Sequence, residues 1–316
     1  SGGHSRLPLL RAPGGDGHMR KTVEKEALRP AASLRFLYGT RAGGLLLRLL
    51  VSRFVSRAAG KILDSRFSRV FIRGYVRRHG IDLSLYEKEE YRSSNAFFTR
   101  RIRPELRPFD FSPRAFVSPC DAKLSVYTVD EGGRYEIKGF SYTAEEFLRD
   151  KALAERFRGG YCFVFRLGVE DYHRYFYIDD GVKGENVFIS GKLHTVQPAA
   201  LETRRVFAEN CREYTAIRTA HFGCVVQAEV GAMMVGRIVN RDGAGTCKRG
   251  QEKGRFEFGG STVVLFVEKD RVIPDAELLE NTKRGAETVV RCGERLGCAP
   301  LPPDDRKPEA DEISDR

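Results

Sequence analysis

Apolar residues recur with two different periods along the 316-residue chain. Over residues 45 to 63 (LLLRLLVSRFVSRAAGKIL) the period is helical: Arg53, Arg57 and Lys61 share one face, with Val51, Val55, Ala58, Ala59 and Ile62 opposite. A second basic helix is expected after Asp64 and Ser65, both suitable N-caps; it carries Arg66, Arg69, Arg73 and Arg77 as a stripe and ends near Gly80. Beyond about residue 100 the pattern shortens to alternating runs such as KLSVYTV, YCFVFRL and GCVVQAEVGAMMVGRIV, separated by Gly, Asp and Asn, which predicts a mainly β domain. In AELLENTKRGAETVVRCGERLG a helical turn is conceivable, but Val289, Val290, Gly293 and Gly297 favour a strand and turns. The expected fold is α+β: a flexible tail over 1–30, a basic helical region over 31–100, a mainly β domain over 101–298, and a Pro-rich, acidic, disordered tail over 299–316.

Charge sharpens this division. Lys and Arg number 54 against 43 Asp and Glu, a net +11, and the excess is local: Arg35 to Arg78 holds eleven Lys or Arg and one acid, Asp64. A localised cationic, amphipathic segment calls for an anionic partner, either nucleic acid or an acidic membrane face. No nucleic-acid module accompanies it, so a lipid surface is the better reading. The longest apolar run, Leu45 to Val51, is interrupted by Arg48 and falls far short of the roughly 20 residues that span a bilayer. The seven cysteines are odd in number and form no CxxC pair, which argues against a disulfide framework or zinc ribbon and for a reducing compartment. The N-terminus has no apolar signal core, and Met19 is a candidate native start.

One β-run is odd. In FEFGGSTVVLFVEKD, Gly259, Gly260, Ser261 and Thr262 interrupt aromatic and β-branched residues. A glycine pair weakens a strand and marks a bend or a close backbone approach. Two other segments carry chemistry: Asp121 in VSPCDAKL, and His173 in VEDYHRYFYIDDG, and with Ser261 they make an Asp, His, Ser set. Each also has an ordinary structural reading, as a loop-capping Asp, a core His and a turn Ser, and spacing alone does not choose. His194 in GKLHTVQP is the competing imidazole, and no His and carboxylate pair has the helical spacing of metal ligands.

The stretch FGGSTVVLF resembles the self-cleavage motif of phosphatidylserine decarboxylases, pyruvoyl enzymes whose proenzymes break between Gly and Ser. The resemblance continues in collinear order through SSNAFFTRRIRPELRPFD, VSPCDAKL, IKGFSYTAEEFL, DYHRYFYIDDG, GKLHTVQP, NCREYTAI and EVGAMMVGRIVN, covering roughly residues 36 to 298. It implies that Ser261 is the pyruvoyl precursor and that cleavage after Gly260 gives a β chain, 1–260, and an α chain, 261–316. It further implies that Asp121 and His173 form a charge-relay pair, and that a barrel-sandwich core is split between the two products. One position departs from the family pattern: where many members have a second His three residues after the first, this chain has Phe176. Its task then falls to His173 alone, to water, or to His194 as a substitute.

On this resemblance the expected substrate is phosphatidylserine and the products are phosphatidylethanolamine and carbon dioxide, with the pyruvoyl group replacing pyridoxal phosphate as electron sink. Arg53, Arg57, Lys61, Arg66, Arg69, Arg73 and Arg77 are then the membrane-binding residues of a peripheral protein, on the cytoplasmic face of the cell membrane if the source is bacterial. A homodimer is left open. Two alternatives are a pyruvoyl decarboxylase of a soluble amino acid, which has no need of the basic helices, and a non-catalytic membrane-binding relative, which has no need of Asp121, His173 and Ser261.

Overall fold

The computed structural model describes residues 20–24, 32–87, 90–137, 139–195, 200, 205–232, 237–257 and 261–301. The strands are Thr22–Val23 (β1), Ala115–Val117 (β2), Ala122–Thr128 (β3), Arg134–Ile137 (β4), Phe140–Thr143 (β5), Tyr161–Leu167 (β6), Arg174–Phe176 (β7), Gly181–Lys183 (β8), Val187–Ile189 (β9), Arg212–Thr219 (β10), Cys224–Val230 (β11), Arg237–Asn240 (β12), Gly245–Cys247 (β13), Glu252–Glu257 (β14), Ser261–Val267 (β15), Ile273–Pro274 (β16), Glu287–Val290 (β17) and Arg295–Cys298 (β18). Ten of them form one antiparallel sheet in the order β1-β17-β3-β6-β15-β11-β10-β8-β13, with β9 also on β10. Smaller sheets are β12-β14-β7 and β16-β18-β2, beside the hairpin β4-β5.

The large sheet is organised on β15. Every residue of STVVLFV is buried, as a strand covered on both faces must be. It pairs along its length with β6 on one side and β11 on the other. Phe266 packs against the rings of Tyr135, Phe147 and Phe157, fixing one face of the strand in the core. The architecture is a sheet-rich α+β fold; among the described residues the large sheet is open, with β1 and β13 at its edges, so no barrel closes.

The N-terminal region is helical, in shorter pieces than the periodicity suggests. Helices Ala32–Gly39 (α1), Arg41–Leu50 (α2) and Arg53–Asp64 (α3) replace the single run expected over 45–63. The break is at Ser52, whose extended backbone and hydroxyl, accepting from the Val55 N–H at 3.3 Å, start α3 afresh. Residues Arg66–Phe71 form a 3-10 turn rather than α-helix, and Ile72–His79 (α4) follows, ended by Gly80 at φ 60°. Ser65 supplies no side-chain cap to that turn. Ser94 bonds the Ser68 hydroxyl and carbonyl at 2.8 and 2.6 Å, tying the turn to Ser94–Phe98 (α5).

Two further expectations change. Residues 20–24, placed in the flexible tail, are docked: β1 pairs with β17, and Arg20 bonds Asp275, Glu277 and Glu294. Residues Ala276–Lys283 are an α-helix and not strand and turns, with Leu278 and Asn281 on its buried face; the strands begin only at β17.

Candidate functional site

Ser261 is the first residue of β15, opposite Leu167 of β6, and is fully buried. The preceding strand β14 ends at Glu257 and belongs to a different sheet. Gly259 and Gly260, the residues expected to flank the cleavage point, lie outside the described residues.

His173 stands just before β7, its carbonyl accepting from the Phe256 N–H of β14 at 2.9 Å. Its ring is buried and stacks on Phe98 of α5, with 4.0 Å between centroids. Nδ1 lies 3.3 Å from Ser261 Oγ, and Nε2 lies 2.8 Å from the Gly168 carbonyl oxygen. A carbonyl only accepts, so Nε2 carries the proton and the Nδ1 lone pair faces the serine hydroxyl. Burial, reinforced by the Arg100 cation, pushes the His173 pKa well below its ordinary value, so the ring is the neutral base at physiological pH.

The Gly168 carbonyl is itself held. The Gly168 N–H donates to Asp171 Oδ2 at 2.6 Å, and Lys123 Nζ bonds both Asp171 and Glu170 at 2.6 Å. Burial pushes the Asp171 carboxyl up to about 6, against the opposing pull of Lys123. Asp171 thus holds the N–H of the same residue whose carbonyl meets His173 Nε2. Sequence reasoning passed over it, since nothing in its position two residues before His173 marks a contact with the Gly168 N–H.

Asp121, expected to pair with His173, has other hydrogen-bond partners in this structure. Its carboxylate is gripped by the Arg107 guanidinium, Nε to Oδ1 at 2.7 Å, and accepts from the Cys292 N–H at 2.9 Å. The fork of Arg107 grips both carboxylate oxygens, and Asp121 is paired with Arg107 where a pairing with His173 was expected. A cavity of about 290 Å³ opens beside this pair, bordered by Arg107, Tyr172, Phe176 and Cys292. Phe176, where the resemblance led to the expectation of a second imidazole, lies on the Arg107 side of the site, its N–H bonded to the Pro119 carbonyl at 2.9 Å.

His194 is buried, with Nδ1 3.4 Å from the Tyr38 hydroxyl and Nε2 3.4 Å from Glu209 Oε2. Asn210 accepts from the His194 N–H at 2.9 Å and donates to the Gly231 carbonyl at 2.8 Å. Gly231 follows Val230, the β11 partner of Thr262, so His194 lies at the Ser261 end of the sheet. The structure therefore joins Ser261 to His173 directly, and brings His194 to the same end by a different route.

Of the basic stripe, Lys61, Arg66, Arg69, Arg73 and Arg77 are all exposed, whereas the side chains of Arg53 and Arg57 lie outside the described residues. Between them stand apolar side chains that the charge pattern did not foretell: Phe67, Val70 and Phe71 are 87, 75 and 62% exposed. No helix among the described residues is long and apolar enough to cross a membrane.

The family model for phosphatidylserine decarboxylase matches residues 94–298, which contain Asp121, His173, His194 and Ser261. The phosphatidylserine decarboxylase proenzyme 2 of Clostridium acetobutylicum is 42% identical over 278 residues, covering 88% of this chain and 95% of that protein. The phosphatidylserine decarboxylase proenzyme of Clostridium novyi is 37% identical over 84% of this chain and 92% of its own. That of Fusobacterium nucleatum is 37% identical over 88% of this chain and 95% of its own. The chain belongs to the phosphatidylserine decarboxylase family.

Proposed function

We propose that this protein is a self-processing, pyruvoyl-dependent enzyme that converts phosphatidylserine to phosphatidylethanolamine and carbon dioxide. The observation that carries the reading is His173 Nδ1 standing 3.3 Å from the Ser261 hydroxyl, at the head of a buried strand, with Nε2 engaged by the Gly168 carbonyl. His173 takes the Ser261 proton and Oγ attacks the Gly260 carbonyl carbon, so the 260–261 peptide becomes an ester with a free amine on Ser261. Removal of the Ser261 α-proton expels the Gly260 carboxylate and leaves dehydroalanine. Hydrolysis of that group releases ammonia and leaves a pyruvoyl at the start of β15.

The donor set fits that product. Ser261 pairs with Leu167 of β6 and the next residue, Thr262, with Val230 of β11, so its carbonyl end stays fixed after the chain is cut. When formed, the pyruvoyl group supplies the carbonyl that condenses with the substrate amine and takes up the electrons released with carbon dioxide. His173, whose ring borders the Ser261 position, is the side chain placed to relay a proton to the reacting carbon. Asp121 acts on the Arg107 side, joining the 1–260 piece to the Cys292 backbone of the 261–316 piece. His194 is the auxiliary imidazole at the same end of the sheet.

The basic helical region docks the enzyme on the bilayer that holds its substrate. Lys61, Arg66, Arg69, Arg73 and Arg77 meet acidic headgroups, and Phe67, Val70 and Phe71 enter the interface, making the protein peripheral on an anionic membrane. The test is release of carbon dioxide from vesicles containing phosphatidylserine labelled in the serine carboxyl. Wild-type protein releases the label and Ser261→Ala does not; equal release from both contradicts the reading.

A further inference from the structure

Three successive carbonyls of the turn before His173 are each taken by a side chain from a different segment. His173 Nε2 meets Gly168 O at 2.8 Å, the Tyr75 hydroxyl of α4 donates to Val169 O at 2.6 Å, and Arg100 Nη2 donates to Glu170 O at 3.1 Å. We propose that Tyr75 and Arg100 are positioning residues of the self-cleavage reaction, clamping this turn so that His173 is held with Nδ1 open to Ser261. The inference rests on His173 being the base.

Arg100 is an expensive residue to keep for packing alone. It is 1% exposed and pairs with no carboxylate among the described residues; its guanidinium lies over the rings of Tyr86 and Phe97, 4.4 and 4.8 Å from their centroids. Its other Nη donor bonds reach the Tyr86 hydroxyl at 3.1 Å and the Phe97 carbonyl at 3.4 Å. A buried cation without a counter-charge costs desolvation energy that an apolar side chain avoids. What it supplies here is a fixed Glu170 carbonyl and a positive field that disfavours a second cation on His173. Tyr75 is suited to the same task, because burial pushes its phenol pKa up and keeps it a proton donor.

The groups facing His173 are few. Arg100 and Phe98 approach from the α5 segment, Ser261 from β15, and Lys123 from β3, with Glu170 and Asp171 of the turn neutralising Lys123. Arg166 of β6 is paired with Glu287. Arg100 is therefore the one cation in this set whose charge is not matched by a carboxylate. α4 also belongs to the exposed basic region, so the turn is tied to the segment proposed to dock on lipid.

The Ser261→Ala precursor gives a readout independent of activity. Its 15N NMR spectrum, with His173→Gln as the assignment reference, should show His173 as the Nε2–H tautomer. Tyr75→Phe should give a mixed tautomer; Arg100→Met should raise the His173 titration midpoint, and Arg100→Lys, which keeps the charge, should not. In chains that retain Ser261, Tyr75→Phe and Arg100→Lys should slow cleavage about five- to tenfold, the equivalent of one hydrogen bond. If His173→Ala cleaves at the parent rate, the reading of His173 as base fails and the clamp with it. If His173→Ala is blocked while Tyr75→Phe and Arg100→Met keep the parent rate, tautomer and titration, the clamp alone is overturned. Tyr75→Phe removes one oxygen and keeps the proposal testable should an Arg100 variant not fold.

Discussion

His173 Nδ1 approaches Ser261 Oγ to 3.3 Å while the opposite ring nitrogen is committed to the Gly168 carbonyl at 2.8 Å. That pairing sets the direction of proton flow: the ring has one vacant lone pair, and it faces the serine. His173→Ala should therefore abolish cleavage or slow it by about 100-fold or more, the low end of a general-base contribution. Chain integrity on denaturing gels over time checks this, and cleavage at the normal rate assigns the base elsewhere.

Asp121 should behave differently from His173, because its partners are Arg107 and the Cys292 N–H. Asp121→Ala leaves Arg107 without its counter-charge, a loss of about 2 to 3 kcal/mol of stability, below the full value for a buried pair because both groups keep some solvent contact. Cleavage should slow less than in His173→Ala. Urea unfolding and cleavage rates measured on both variants decide; an Asp121→Ala chain as inert as His173→Ala with unchanged stability contradicts the assignment.

The depressed pKa of His173 has a consequence for stability. The unfolded chain binds a proton at His173 below about 6.5, whereas the folded chain takes it only at lower pH. Stability from this group is thus fully present above that unfolded value and is lost as pH falls towards the folded one. In the Ser261→Ala background, unfolding at pH 7.5 and 5.5 should show a loss on acidification that is smaller once His173→Gln is added. Equal losses would mean that His173 titrates normally.

Docking should have two separable parts. Each cation near an acidic surface contributes on the order of 1 kcal/mol and is screened within roughly 8 Å at physiological salt. Burial of an exposed Phe contributes about 1.5 to 3 kcal/mol and is indifferent to salt. Reversing Lys61, Arg66, Arg69 and Arg73 to Glu should remove the salt-dependent part of sedimentation with phosphatidylserine vesicles. Phe67→Ser with Phe71→Ser should lower binding at every salt concentration, and neither set should slow cleavage. Vesicle binding indifferent to both sets removes the helical region from the docking surface.

Much of this site was legible before the fold. A run of aromatic and β-branched residues marked β15, and the glycine pair with its two hydroxyls marked Ser261 as its special end. The partners of charged groups were not legible, because they depend on which strands meet. Asp121 and Arg107 are close in sequence, yet the third member of their group, Cys292, arrives from β17's far end. The same is true of β1, a two-residue strand with no signal of its own until β17 offers an edge. The helix at Ala276–Lys283 was obscured by the glycines that follow it, and the break at Ser52 by an apolar period that runs straight through the cap.

Cleavage should leave the two pieces joined. Residues 261–316 supply β15, inserted between β6 and β11, and β17, inserted between β1 and β3, so neither can leave without breaking two ladders. Under native conditions the pieces should migrate together, separating only in denaturant.

The most direct measurement is the intact mass of purified, active protein under denaturing conditions. The account predicts two species, residues 1–260 and residues 261–316, the smaller lighter by one ammonia than simple hydrolysis would give and blocked to N-terminal sequencing. A single full-length chain in an active preparation, or a 261–316 piece with a free N-terminal serine, would contradict it.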